Sequence, residues 1–581
     1  MASSPKRWQV APPAPSSHLS QFPHLHPLLV QALYTRGIRD SNSVAAFLDG
    51  GVDTANPFQL EGMTGAVTRI RRALRSGEQI AVYGDFDADG ITATALLVQA
   101  LRAVGGRVQP YIPHRMDEGY GLNEEALSAL AADGVSLVIT VDCGVRALDE
   151  IAHARRLGLD VVVTDHHSLG PRLPKAVAVI NPKRTQALGN RASQRCTDAL
   201  AGSGVAYRLA QALLRSHRQI PVTERDVSLQ EGDLLDLVAL GTVADLVPLR
   251  GENRVLVRQG LERINRMERP GLRALCEEAG LRPGKVDATA IGYILGPRLN
   301  AAGRLDDAEI AYRLLLTDDE AEASRLADQL DGLNRERQQI THEAYEMARH
   351  LVLEIDEDPL LLFAASSEFL SGIVGLVASR LLDEFYRPAI VVEVGEQVSR
   401  GSCRSIAGFD VTRALEACED LLERYGGHAA AAGFTVVNRN LDRLADRLRA
   451  LACDQLRDED LVPALEIDAE VELSEMSWDV QRALEMLEPC GWANPRPLFA
   501  SRDVRVWDHR AVGREGRHLK LALSDGRTTW DAIAFRQGEW AGQLPGAIDI
   551  AYHLEVNEWN GQRRLQLNVQ DIRPAGSCAG R

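Results

Sequence analysis

Residues 81–97 read AVYGDFDADGITATALL: an apolar run, three aspartates at alternate positions (Asp85, Asp87 and Asp89), a glycine, then a helix-prone segment. On a single strand these carboxylates would share one face and repel, because side chains alternate across a strand with period two. The pattern calls for a positive partner among them. It also sets a strand–turn–helix rhythm that recurs over residues 66–182. There EQIAVYG, RVQPYIP, VSLVITVD, LDVVVTD and AVAVIN read as strands, and AVTRIRRALRSG, ITATALLVQALRAVG, EEALSALAADG and RALDEIAHARRLG as the helices between them. Continuous β-branched runs separated by helices indicate a buried parallel sheet, so the fold class is α/β with a doubly wound sheet.

With 581 residues, the chain should divide into three or four domains. Its 45 % hydrophobic and 25 % charged content is ordinary for a soluble protein, and no segment approaches the roughly 20 apolar residues of a membrane span. The start, MASSPKRWQVAPPAPSSHLSQF, lacks the apolar stretch of a secretory signal and reads as a loose leader in a cytoplasmic protein. The eight cysteines are scattered without a C-x-x-C pair, which argues against a zinc site or disulfide framework and for reduced thiols. The expected layout is a leader and helical extension over 1–60, a catalytic domain over 61–305, a charged connecting helix over 306–352, a second α/β domain over 353–455 and a barrel over 463–575. Five alternating strands with Asp-Gly and Asn-Gly turns (SDGR, WNGQ) point to that barrel, an oligonucleotide-binding fold being a common five-stranded choice.

Three acidic or histidine-bearing sites fall at the C-terminal ends of expected parallel strands: Asp85/Asp87/Asp89, Asp142, and Asp165-His166-His167. In open α/β sheets ligands bind at that edge, so one fold would gather all three. A lone strand-end aspartate is most often a helix cap or turn former. Three such sites on one sheet instead favour a metal centre, and carboxylates with an imidazole suit Mn²⁺ or Mg²⁺.

These motifs, DFDADG, VDCG, DHH at 165–167 and GTVADLVPL with its Asp245, resemble the DHH phosphoesterase superfamily. IPHRMDEGYGL (112–122), GPRLNAAGRL (296–305), SRGSCRS (399–405) and RYGGHAAAAGF (424–434) narrow the resemblance to its bacterial exonucleases, which degrade single-stranded DNA from the 5′ end. The resemblance spans about residues 60–575, including the DHH-associated domain and the oligonucleotide-binding barrel. It implies two metals: Asp87 and Asp89 as ligands of different ions, Asp142 bridging both, His166 and Asp245 completing the ligand set of the second ion, and His167 facing the scissile phosphate. Asp85 and Asp165 match the motifs as supporting groups. Arg115, Arg298, Ser402 and Arg404 become candidates for end and backbone binding, with Gly426, Gly427 and His428 lining the groove. Arg suits phosphate through its planar fork, although Arg115 and Arg298 could equally pair with this chain's carboxylates. Many superfamily members carry a histidine where this chain has Tyr83, which implies fewer protein ligands for the first metal.

The net charge of −16 excludes a uniformly basic nucleic-acid binder, yet residues 496–527 hold eight Arg or Lys against four acids. Six of the seven tryptophans lie after 463. Basic grooves with aromatic platforms hold single strands, while most individual tryptophans are expected in the barrel core. The resulting expectation is an Mn²⁺- or Mg²⁺-dependent 5′→3′ single-strand DNA exonuclease of repair and recombination, yielding mononucleotides. It would act as a monomer, with a single-strand-binding protein and a helicase as partners and no membrane association. The competing readings are a superfamily phosphoesterase for short oligonucleotides or small phosphates, and a DNA-binding replication scaffold without metals. The barrel speaks against the first, and the retained acidic set against the second.

Overall fold

Five runs rich in Val and Ile, each followed by a helix, can bury both faces only as a parallel sheet between helical layers. The computed structural model describes residues 6–50, 56–115, 117–187, 199–559 and 561–576, and divides into two compact units. One comprises residues 49–340 with 489–495; the other comprises 1–48, 341–488 and 496–581. Cys196, Cys578, Asn560 of the WNGQ turn, the first five residues of the leader and the Trp559 side chain lie outside the described residues.

In the first unit the strands run in the order Arg107–Tyr111, Gln79–Tyr83, Val135–Val141, Asp160–Thr164, Ala178–Ile180, all parallel. Strand order reverses between Gln79–Tyr83 and Val135–Val141, so the loops after those strands open at the switch point where ligands bind in such folds. Ile80 and Val82 face one helical layer with Leu96, Leu137 and Leu209; Ala81 and Tyr83 face the other with Leu127, Val138 and Val163. The edge strand contains Pro110, which an edge tolerates because one side needs no ladder donor.

In the second unit, Leu362–Ser366, Ala389–Val394, Val398–Arg404, Ala431–Val437 and Leu422–His428 form a mixed sheet in that spatial order. The barrel closes because Phe499–Val512 pairs with both His518–Ser524 and Ala547–Trp559, while Thr529–Ala534 and Gln562–Pro574 complete the ring. All five strands expected there are present. The expected connecting helix is instead two, Glu309–Leu316 and Glu320–Ile355, and the boundary between units falls within the longer one.

Two expectations are corrected. The leader is not loose: Arg7–Val10 pairs in parallel with Ala464–Ile467. Trp8 is 7 % exposed, donates its Nε1–H to Asp571 at 2.6 Å, and lies under the guanidinium groups of Arg573 and Arg502. Trp8, with Phe22 and Ala14, supplies the apolar burial that anchors this Pro- and Ser-rich segment. Nor are the five tryptophans after 463 whose side chains are described core residues: Trp478, Trp492 and Trp507 are exposed, and Trp530 and Trp540 half-buried. Leu519, Leu521, Phe499, Ile550 and Tyr552 fill the barrel instead.

Replacing Trp8 with Ala should therefore lower the midpoint of thermal unfolding, with a cost of about 3–5 kcal/mol for a buried tryptophan. Calorimetry of the full chain checks this, and an unchanged transition would return the segment to leader status.

Candidate metal centre

The sheet brings the three sequence sites together. Asp85, Asp87 and Asp142 place one carboxylate oxygen each within 4.8 Å of one another; Asp89, His166 and Asp245 form a second such group, and Asp142, His166 and His167 a third. Asp142 and His166 each belong to two groups, so the three sets are one continuous centre.

Each candidate ligand is held by local structure. Asp87 caps the helix Ala88–Ala103, its Oδ1 accepting from the amides of Asp89 and Gly90. Asp89 accepts from the amides of Gly202 at 2.6 Å and Ser203 at 3.0 Å, the first residues of the helix Gly202–Gln219, where free amides and the helix dipole favour an anion. Asp142 sits at φ 61°, a left-handed conformation unusual for a non-glycine residue, with its amide bonded to the Thr164 carbonyl. Asp245 ends the helix Leu235–Ala244. The packing leaves no room for larger neighbours: a Cβ at Gly241 would lie 2.4 Å from Asp89 Oδ1, and one at Gly202 2.6 Å from the Asp142 carboxylate. Gly90 lies within the same helix, and its missing side chain makes space for Asp85, whose Cβ a side chain there would meet at 2.6 Å.

The donor set fits a divalent cation. His166 Nε2 is 3.1 Å from Asp142 Oδ1 and 3.5 Å from Asp245 Oδ2, yet neither His166 Nε2 nor Asp142 Oδ1 has a hydrogen-bond partner, and both are buried. Asp85 Oδ1 is buried and partnerless as well. Orphaned buried polar atoms are costly, and several converging on one point ask for an ion. Burial, reinforced by Asp89 and Asp87, pushes the Asp245 carboxyl up to about 9, and burial with Asp87 raises Asp89 to about 6. Asp142 and Asp85 are driven well above the carboxylate range by burial and neighbouring acids. Burial and His167 hold His166 down to about 3, leaving its imidazole neutral and able to ligate.

His167 differs. Burial disfavours its charge, but the bond from Nδ1 to Asp165 Oδ1 at 2.8 Å and the charge of Asp165 outweigh that and raise it. Asp165 also accepts from the amides of Val145 and His167, so it ties the Asp142 loop to the histidine pair. This is a supporting role. Sequence reasoning missed Tyr120, whose hydroxyl lies 3.1 Å from His167 Nδ1 and donates to the Asp142 carbonyl at 3.3 Å, and Asn181, which donates to the His167 carbonyl. The GYGL motif contained Tyr120, but nothing in its spacing marked the contact.

Tyr83 makes no approach to the centre. Its hydroxyl donates to the Gly121 carbonyl at 3.1 Å, and its ring stacks on Tyr111. The group nearest that strand, Asp85/Asp87/Asp142, is accordingly all carboxylate.

Among the nucleic-acid candidates, Arg115 lies over the Phe86 ring in the field of Asp85 and Asp87. Arg298 is committed within the protein: Nε and Nη2 reach the buried Asp331 at 3.0 and 2.9 Å, and Nη1 donates to the Ile294 carbonyl. In the other unit, Arg404 donates to Ser402 Oγ at 3.2 Å, and both stand close to Gly375 in the first turn of the helix Val374–Phe385. Gly427 and His428 end the strand Leu422–His428 and are exposed. A Cβ at Gly427 would meet the Ala431 carbonyl at 2.3 Å.

Family models described as the DHH family N-terminal domain, the DHHA1 domain and the RecJ OB domain match residues 79–242, 358–454 and 467–571. The chain is 39 % identical to the single-stranded-DNA-specific exonuclease RecJ of Dickeya dadantii, over 96 % of this chain and 97 % of that one. It is 38 % identical to the Escherichia coli protein of the same name, over 95 % and 96 %. The crystal structure of RecJ from Thermus thermophilus in complex with Mn²⁺ superposes with a TM-score of 0.83 at 33 % identity, covering 98 % of this chain and 80 % of that one. The Mg²⁺ complex gives 0.78 at 32 %, covering 98 % and 79 %.

Two outcomes follow from this geometry. Because burial and neighbouring acids raise the Asp245 carboxyl to about 9 and Asp89 to about 6, and push Asp142 and Asp85 upward as well, cation binding competes with protons and affinity should rise with pH between 6 and 9. Calorimetric Mn²⁺ titrations at about pH 7 in buffers of different ionisation enthalpy should show proton release; identical heats would refute it. Gly241→Ala should displace Asp89 and weaken Mn²⁺ binding about 10–100-fold while the chain stays folded, measured by electron paramagnetic resonance of free Mn²⁺ alongside circular dichroism.

Proposed function

The chain belongs to the RecJ family of single-stranded-DNA-specific exonucleases, and from that premise we propose that it hydrolyses single-stranded DNA stepwise from the 5′ end to 5′-mononucleotides in DNA repair and recombination. The observation that carries this reading is the continuous centre of Asp85, Asp87, Asp89, Asp142, His166 and Asp245, with orphaned buried donors converging on it. Mn²⁺ or Mg²⁺ bound there supplies Lewis acidity, drawing charge from the phosphoryl group and activating water.

The protein's own groups do the rest. Asp87, Asp89, Asp142, His166 and Asp245 would hold the ions, and the backbone amides of Gly202 and Ser203 fix Asp89 in place. His167 keeps Nδ1 on Asp165, which leaves Nε2 to donate to a non-bridging phosphate oxygen, and its raised pKa favours the charged donor. Arg115, held over Phe86, offers its fork to the backbone on the Asp85 side. Arg404 and Ser402, beside the first turn of Val374–Phe385, form the anion cradle assigned to a terminal phosphate. Arg298 acts as a structural anchor through Asp331, so its part in DNA binding is indirect.

Barrel chemistry supports a long strand over a small phosphate. Arg505, Arg510, Arg514, Arg517 and Lys520 form no ion pair among the described residues. Arg510 and Lys520 face each other directly across neighbouring strands, which costs stability unless an anion lies between or above them. Exposed Trp507 and Phe535 supply apolar surface on the same barrel. No helix among the described residues is long and apolar enough to cross a membrane. We assign the chain to the cytoplasm as a monomer, fed with single strands by a helicase and a single-strand-binding protein.

Incubating 3′-labelled single-stranded and blunt duplex DNA with and without Mn²⁺ tests the assignment. The single strand should shorten only with Mn²⁺ and release mononucleotides, while the duplex persists. Survival of the single strand, or far faster hydrolysis of pyrophosphate, would overturn it.

A further inference from the structure

Four large apolar side chains in the first unit stand out by exposure: Tyr293 at 82 %, Ile220 at 68 %, Leu246 at 67 % and Trp492 at 64 %. Three of them attach to the element that carries Asp245. Leu246 follows Asp245 directly. Trp492 is bonded through its carbonyl to the amide of Leu249, three residues on. Tyr293 lies in the π-helical turn Ile291–Leu295, which packs on Leu235–Ala244: Gly292 faces Val243, and a Cβ at Gly296 would lie 3.4 Å from that of Ala244.

Their presentation is built rather than incidental. Leu246 is held at φ 56°, a conformation a branched apolar residue adopts at a cost, and burial does not offset it. The π-turn under Tyr293 is an uncommon element that concentrates at functional sites. Trp492 and Ala493 form the tip of a tight hairpin closed by paired backbone bonds between Gly491 and Asn494. That hairpin is anchored at every corner. Arg250 Nε donates to the Ala493 carbonyl at 2.7 Å, Asn494 Nδ2 to the Pro489 carbonyl at 2.9 Å, and Arg254 to the same Pro489 carbonyl. All these bonds use backbone carbonyls, so the indole carries none of the anchoring. A turn anchored through backbone carbonyls thus holds the Trp492 indole largely in water.

Resting on the exonuclease reading, we propose that Leu246, Trp492 and Tyr293 form an apolar rim on the Asp245 side of the centre, on which unpaired bases flanking the scissile phosphate stack. Its occupant is a nucleobase because Leu246 directly follows Asp245 and the other two side chains are carried by elements joined to the same helix and its continuation, and because flat aromatic faces accept any base without hydrogen-bond readout. Paired bases present their edges within a stack and cannot cover such a rim. Selection of single strands is then a property of this surface, in addition to access to the metals.

The test crosses enzyme variants with substrates. Full-length wild type, Trp492→Ala and Trp492→Phe are assayed with Mn²⁺ on a normal 5′-phosphorylated strand and on one carrying a short run of abasic residues at its 5′ end. Trp492→Ala should raise KM about tenfold on the normal strand with Mn²⁺ affinity unchanged, Trp492→Phe should restore most of it, and on the abasic strand all three should coincide. Equal KM for wild type and Trp492→Ala on the normal strand overturns the rim, as does an equal loss on both strands. A surface reserved for a protein partner would give that first result. Failure of wild type to cleave either strand would instead strike the exonuclease assignment itself. Should Trp492→Ala unfold, Leu246→Ser carries the same comparison.

Discussion

Carboxylates that cannot share a buried space without a cation are the constraint on which this structure turns. Asp85, Asp89 and Asp142 are each 3 % exposed or less, and Asp87 and Asp245 lie with them. Their mutual repulsion in a low-dielectric site would drive protons on or the loops apart. The surroundings resist the second outcome. A helix N-terminus meets Asp89, the strand end of Asp142 is locked at φ 61°, and glycines at 202 and 241 let neighbouring helices press against the carboxylates. Rigidity imposed from outside converts repulsion into affinity for an ion.

The same rigidity explains the division of labour between the two histidines. They are neighbours in sequence with ring centroids 4.6 Å apart, yet their proton affinities move in opposite directions. His166 faces the orphaned carboxylates and lacks a partner that fixes its charge, so burial and the adjacent ring keep it neutral. His167 has Asp165, itself held by two backbone amides, and its proton affinity is raised. One aspartate thus gives two adjacent imidazoles opposite proton affinities.

Much of this was legible in the sequence. Strands announced themselves by β-branched runs, and their C-terminal ends by aspartates, because a parallel sheet fixes both hydrophobic pattern and site position. What stayed hidden depends on contacts between segments remote in sequence. No periodicity marks Gly241 as the wall behind Asp89, or Asp331 as the partner of Arg298, 33 residues away. Trp8 reached its place through a parallel pairing with Leu465, far along the chain. Tyr83 was recognisable as a departure from a family pattern, but only the structure shows its hydroxyl spent on Gly121. Exposed tryptophans defeated the usual expectation because composition cannot tell a filler from a platform.

An acidic chain that handles a polyanion must confine its attraction to a few places. The net charge of −16 disfavours loose association with any DNA surface. Acids at the centre are neutralised once ions bind and so do not repel the scissile phosphate. Many Arg side chains elsewhere are tied to carboxylates, as Arg298, Arg269 and Arg208 are. Among the described residues, the barrel stretch from 505 to 520 holds five basic side chains without an ion pair, Arg505, Arg510, Arg514, Arg517 and Lys520. A chain so arranged gains little from phosphate charge in general and more from positions where a backbone amide or a basic side chain is already held in place.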